Sequence, residues 1–322
     1  MDQRKKGYLL ILLAAAIYST TEVALKLLGG AFAPMQLTCE RVLIGAFFVL
    51  PFALREMRRR KIRPDRSDWS YFALMGFLTV TLHMSFLQLA VMHMDASAAA
   101  VIYSGNPVFA IVAAHLLLRE PVKKNHLLAI ALELIGILFI LNPAHLELNV
   151  RGFVEIMCAT VLFAMYGTLC KLRMKKLGSV VIACFNMLLG GAEMLAILLL
   201  GKIPAIAAFY EKCGLDLFAR VSLTAGFTPR SALLMLYVGI FCAGLGFLLM
   251  AKITEYTSAI EASFIYLLKP ILATALAAAV FREYISANRM IGIAFFLAAS
   301  LCVSVPVLRQ MKRQRTADGK QT

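Results

Sequence analysis

Charge is scarce in this sequence: Asp, Glu, Lys and Arg make up only 16% of the 322 residues, against 61% hydrophobic residues. A water-soluble chain carries nearer a quarter charged residues, so this composition excludes an ordinary soluble domain. Acids are the scarcer sign, 18 against 33 Lys and Arg. A net charge of +15 would suit a nucleic-acid partner, but the basic residues gather in loops and termini. That is how a membrane protein distributes charge, and no nucleic-acid partner is expected. The seven cysteines are scattered with no CxxC pair, which argues against a disulfide framework and a zinc site. There is no HExxH, no GxSxG and no glycine-rich phosphate loop, so an enzyme is not indicated and no cofactor or metal is expected. With no ATP-binding motif, active movement of a solute would need an ion gradient or an exchange partner. Strand-type alternation is missing from the apolar runs, which argues against a barrel. The filter sequence or pore-helix pattern of a channel is missing too.

What the chain has is a succession of apolar runs, each long enough to cross a ~30 Å hydrocarbon core as a helix. Ten spans are predicted: 7–28, 34–54, 69–91, 96–118, 125–142, 152–172, 179–200, 230–252, 258–281 and 289–308. The basic start and Ala31-Phe32-Ala33 imitate a secretory signal, but the run is too long and contains Glu22 and Lys26, and Pro34 stands at the would-be scissile bond. It reads as a permanent first helix. With the N-terminus in the cytoplasm, 23 Lys and Arg fall inside, seven outside, and Lys26, Arg41 and Lys269 within spans. This asymmetry places both termini in the cytoplasm of a multi-pass protein of the cell membrane. The long exterior connection 201–229 mixes apolar and charged residues and predicts an interfacial amphipathic helix. Residues 309–322 read as a basic, unfolded cytoplasmic tail.

The chain also aligns with itself. At an offset of 163, residues 100–131 fall on 263–294 without a gap, matching Tyr103/Tyr266, Pro107/Pro270, Arg119/Arg282, Glu120/Glu283 and Asn125/Asn288. Nearer the start of each half the offset is 145, matching Gly7/Gly152, Lys26/Lys171, Cys39/Cys184 and Gly45/Gly190. The difference of 18 residues is absorbed by the 201–229 connection. Five spans per half is an odd number, so the second copy sits upside down. The expected fold is therefore an all-α integral membrane protein, with ten transmembrane helices arranged as two inverted five-helix repeats around a central cavity. The units are 1–145, 146–308 with its exterior loop, and the tail 309–322. Inverted repeats of this kind place a substrate site near the midplane, at the repeat interface.

These features resemble the EamA-type members of the drug/metabolite transporter superfamily. The resemblance rests on the two five-helix units, Lys26 and Lys171 closing the first helix of each, Arg41 in the second span, and the Pro107…Glu120 and Pro270…Glu283 fourth helices. It implies a basket-like bundle, alternating access, and export or uptake of a small metabolite, with no single substrate. Two departures stand out. Tyr18 and Phe163 occupy a position where an aromatic, often Trp, is usual, and Lys269 is an unusual cation immediately before Pro270.

A charge in the hydrocarbon region costs about 2.5–3.5 kcal/mol on insertion scales, so each one needs a partner or a wet cavity. Lys269 lies near the middle of its span, and its repeat counterpart is Asn106. Each precedes a proline, which frees a carbonyl one turn earlier. The functional reading has Lys269 and Asn106 lining the cavity; the alternative is a fixed pair between Lys269 and Glu193 or Glu133. Tyr103 and Tyr266 sit one helical turn before these residues, on the same face, as cavity walls; Tyr18 joins them as a candidate. Glu22 and Arg41 share a depth on consecutive spans and read either as a structural pair or as an outer gate and substrate contact. His83 and His115 stand alone among apolar neighbours and read as hydrogen-bonded helix contacts rather than proton carriers, and Glu155 and Glu261 as reaching the headgroups. The cations favour an anionic or zwitterionic solute such as an amino acid or organic acid; the alternative is an exporter of amines or drug-like cations. Besides the solute, the expected partners are the bilayer and a coupled proton or counter-substrate. Direction, coupling ion and oligomeric state are not written in the sequence.

Overall fold

A computed structural model of the chain describes residues 3–28, 30–94, 99, 102–141, 149–281, 287–288, 290–299 and 301–302. Among these the chain is helical, with no strand. The long helices are α1 (Gln3–Leu28), α2 (Pro34–Arg60), α3 (Arg66–His93), α4 (Ile102–Leu118), α5 (Lys124–Leu141), α6 (Val150–Leu177), α7 (Ser179–Leu200) and α8 (Pro229–Tyr256). They are followed by α9, which runs Ala259–Ser263 and, past Phe264, Ile265–Phe281, and by α10 (Met290–Ala299). Seven helices among the described residues are long and apolar enough to cross a membrane. The connection after α7 contains a helix over Pro204–Lys212 and a single turn at Asp216–Phe218.

The solvent preference is inverted relative to a water-soluble bundle. Leu116 is 71% exposed on the outside, whereas His83, Glu133 and Asn186 are fully buried inside. Helices suit this arrangement because every backbone polar group is satisfied within its own segment, which lipid cannot do for it. The main core joins α1, α2, α3, α6, α7, α8 and α9, and a second core joins α4, α5, α9 and α10 around Ile111, Ile137, Phe264 and Phe296.

Two glycine contacts let helices from opposite halves of the chain touch backbone to backbone. A Cβ on Gly45 of α2 would lie 2.8 Å from the Gly239 carbonyl oxygen of α8, and one on Gly190 of α7 would lie 2.6 Å from that of Gly76 on α3. Small residues permit this approach where lipid supplies no hydrophobic drive between helices. The contacts occur at equivalent places in the self-alignment, each at the start of a π-helical stretch: Gly76 just before Phe77–His83 in α3, and Gly239 at the second residue of Val238–Leu245 in α8. A π stretch inserts an extra residue and turns the helix face that follows it.

Local capping follows the same equivalence. Asp65 accepts from the Asp68 amide at 2.9 Å and Asp68 returns the bond at 3.0 Å, forming a capping box at the start of α3. Thr228 and Ser231 form the corresponding box on α8.

Ionic contacts concentrate at the end of the bundle where α2, α4, α6 and α8 finish. Lys176 and Arg173 of α6 hold buried Asp68 at 2.6 and 2.8 Å. Lys252 and Arg60 bridge Glu56 and Glu255, which also accepts from Ser179. Glu120, just past α4, accepts from the Ala259 and Ile260 amides of α9 at 3.2 and 3.3 Å and pairs with Lys171 of α6 at 3.2 Å. One carboxylate from the first half thus grips two elements of the second.

Candidate substrate-binding site

Five helices bring their aromatic and imidazole side chains together between the two halves. Tyr18 of α1 stacks on Tyr266 of α9 with ring centroids 6.5 Å apart, and Tyr266 meets Tyr103 of α4 edge-on at 6.0 Å. Phe163 of α6 lies 6.0 Å from Tyr103 and 5.7 Å from Tyr266. His83, the last residue of the α3 π stretch, packs on Phe163 at 4.8 Å and bonds the Tyr103 hydroxyl through Nε2 at 3.0 Å. Its other ring nitrogen lies 3.0 Å from the Thr79 carbonyl. Tyr18 finds room because Gly246 has no side chain: a Cβ there would fall 2.8 Å from the Tyr18 ring.

The box is built twice over. At the offsets of the self-alignment, Tyr18 corresponds to Phe163, Tyr103 to Tyr266, and His83 to Gly246. The Tyr18–Gly246 and Phe163–His83 contacts are therefore equivalent, and Tyr103 faces its own counterpart.

One cation borders these rings and a second lies on the same helix as Tyr266. Arg41 of α2 is an electrostatic neighbour of Tyr18, Tyr103 and His83, and its Nη2 lies 3.3 Å from the Met84 sulfur. Lys269 sits one turn beyond Tyr266, partly exposed, and its carbonyl accepts from Ser19 of α1 at 3.3 Å. Glu133 and Glu193 were the fixed partners that the sequence offered for Lys269. Among the described residues, no charged side chain stands near enough to either acid to act on it, and neither oxygen of Glu133 has a hydrogen-bond partner.

Not every sequence candidate is free to meet a solute. Asn106 is buried and its Nδ2 donates to the Thr160 carbonyl at 3.2 Å, so the amide braces α4 against α6. The side chain of Glu22, and with it the expected Glu22–Arg41 pair, lies outside the described residues. His83 is the hydrogen-bonded helix contact that was expected, with Tyr103 as its partner, and the π stretch that turns it inward leaves no mark in the apolar pattern. One reading needs correction: Glu155 does not reach the headgroups. Glu155 is buried between His93 at 2.7 Å and Arg151 at 3.2 Å, and Glu261 is buried within α9.

The comparisons agree with this architecture. The model of the EamA-like transporter family matches residues 5–142 and again 150–305. An uncharacterized transporter of Clostridium kluyveri is 34% identical over 305 residues, covering 92% of each chain. Protein PagO of Salmonella typhimurium is 23% identical over 88% of each. A solved crystal structure superposes with a TM-score of 0.72 at 17% identity, covering 95% of this chain and 99% of that one, a likeness of fold. With a helical bundle sized for lipid and a family match along nearly its whole length, the chain belongs to the EamA-like transporter family and is a multi-pass membrane transporter.

Proposed function

We propose that this transporter carries a small anionic or zwitterionic metabolite, such as an amino acid or organic acid, across the cell membrane by alternating access. In this reading ten helices cross the bilayer as two inverted five-helix units with both termini cytoplasmic. The repeated family match, the paired glycine contacts and the paired π stretches support the repeat, and the clustering of Lys and Arg supports the orientation. The observation that carries the solute class is Arg41 beside a box of Tyr18, Tyr103, Tyr266, Phe163 and His83, with Lys269 one helical turn past Tyr266. A carboxylate meets a cation there, and the tyrosine hydroxyls and aromatic faces grip the remainder of the solute.

A second reading rests on the same rings. Clustered aromatic faces attract organic cations by their quadrupoles, worth about 0.5–2 kcal/mol per contact, which would make an amine the cargo. A thermal-stability screen of the purified protein separates the two. A panel of amino acids, organic acids and organic amines is tested on the wild type and on Lys269→Ala, since any ligand selective for the native state raises Tm by mass action. The favoured reading expects an acid or zwitterion to stabilise the wild type, with at least tenfold weaker response in Lys269→Ala. Stabilisation by amines alone, equal in both proteins, would overturn it.

A further inference from the structure

We propose that the end of the bundle next to Glu120 holds the phosphate headgroup of an anionic phospholipid, clamped between α6 and the α4–α5 connection. A cavity of about 590 Å³ opens there, lined by Arg119, Lys123, His126, Lys171 and Lys175. Two carboxylates, Glu120 and Glu261, also face it, leaving an excess of positive charge.

Of these two carboxylates, Glu261 is buried within α9 and Glu120 is already committed. Glu120 is consumed by the α9 amides and Lys171, and Lys171 also donates to the Thr257 carbonyl at 3.1 Å. Arg119, Lys123 and Lys175 are exposed and have no carboxylate partner among the described residues. Three unneutralised cations around one concavity make an anion site, and oxygens of a phosphate can accept from all three at once.

The surroundings select a lipid over a free ion. Leu118 and Leu172 form part of the wall, Leu172 is 55% exposed, and Leu116 and Leu117, which precede Leu118 at the end of α4, are exposed as well. Apolar side chains flush with a basic pocket at the ends of spanning helices match a headgroup joined to acyl chains. Anionic lipids populate the cytoplasmic leaflet, which this end faces in the orientation proposed above. The solute site plays no part, so a failed solute assignment leaves this inference standing, and the reverse.

Because Arg119 and Lys123 precede α5 and Lys175 lies on α6, the bound headgroup would splice the two halves of the chain beside the Glu120–Lys171 pair. The test uses the full chain purified in detergent. Binding and thermal shift are measured with dioleoyl phosphatidylglycerol, dioleoyl phosphatidylcholine and inorganic phosphate. Wild type is compared with the triple variant Arg119→Gln, Lys123→Gln, Lys175→Gln, and with a control of equal charge change in the α2–α3 connection (Arg59→Gln, Lys61→Gln, Arg63→Gln). The expected result is stabilisation by phosphatidylglycerol but not phosphatidylcholine, about a hundredfold weaker in the triple variant and retained in the control. Equal response of triple variant and control would overturn the site, and a full response to inorganic phosphate would overturn the lipid assignment. Size-exclusion profiles of the variants without lipid separate loss of the site from loss of the fold.

Discussion

The two halves of the chain share a scaffold but not its chemistry. At matched positions the first half has Tyr18, Arg41, His83 and Asn106, and the second has Phe163, Asn186, Gly246 and Lys269. Packing elements are kept on both sides: glycine contacts, π stretches, capping boxes and the facing Tyr103 and Tyr266. The groups able to choose a solute differ. The halves thus keep their packing residues in common and differ at a few inward positions, which is where the proposed solute site lies.

The severest way to break this comparison is at the glycine contacts. Gly45→Val and Gly190→Val each push a side chain into a neighbouring backbone. Overpacking costs about 1–3 kcal/mol or more, and both should lower Tm in detergent by a similar large amount. Strong damage from one and none from the other would end the claim that the contacts are equivalent.

A smaller effect is expected at Glu133, which stands where the second half has Phe296, both fully buried. A buried carboxyl without a hydrogen-bond partner costs about 1–3 kcal/mol, so Glu133→Leu should raise Tm. A fall in Tm would mean that the acid has a structural role the apolar seam does not reveal.

His83→Phe and Tyr103→Phe should each cost about 1 kcal/mol, and the double variant little more than either alone, because one bond links them. Additive losses would show that the contact contributes nothing.

The smallest effect is on pH. The hydrogen bond from Lys176, joined by the Asp68 amide and against slight burial, holds the Asp65 carboxyl below its ordinary range. A depressed carboxylate contributes stability above its ordinary pKa of about 3.9 and loses it as pH falls through the lower folded value. Below about pH 4 the α3 box should weaken while the uncharged Thr228–Ser231 box on α8 does not. Hydrogen exchange at the two helix starts reads the difference directly, and equal acid sensitivity at both would count against it.

Much of this was legible in the sequence. Run length and loop charge gave the helical membrane class, and the offset match brought Tyr103 and Tyr266 together, because both signals depend on composition and period alone. The rest depended on helix rotation, which apolar residues all round a helix leave undetermined. That is why Tyr103 was not foreseen as the partner of His83, why Glu155 read as a headgroup contact, and why Asn106 read as a cavity residue when its amide donates to Thr160.

Where Gly45 meets Gly239 and Gly190 meets Gly76, the backbones touch and the side chains of Met187, Ile44 and Val80 close over the glycines. Ordinary helix pairs mesh ridge into groove, and turning one past the other means lifting side chains out of their slots. Here Ile44, Met187 and Val80 supply such ridges, while the missing Cβ atoms let the backbones set the spacing. The separation of each helix pair is thus fixed by main chain, and any larger residue at the crossing must widen it.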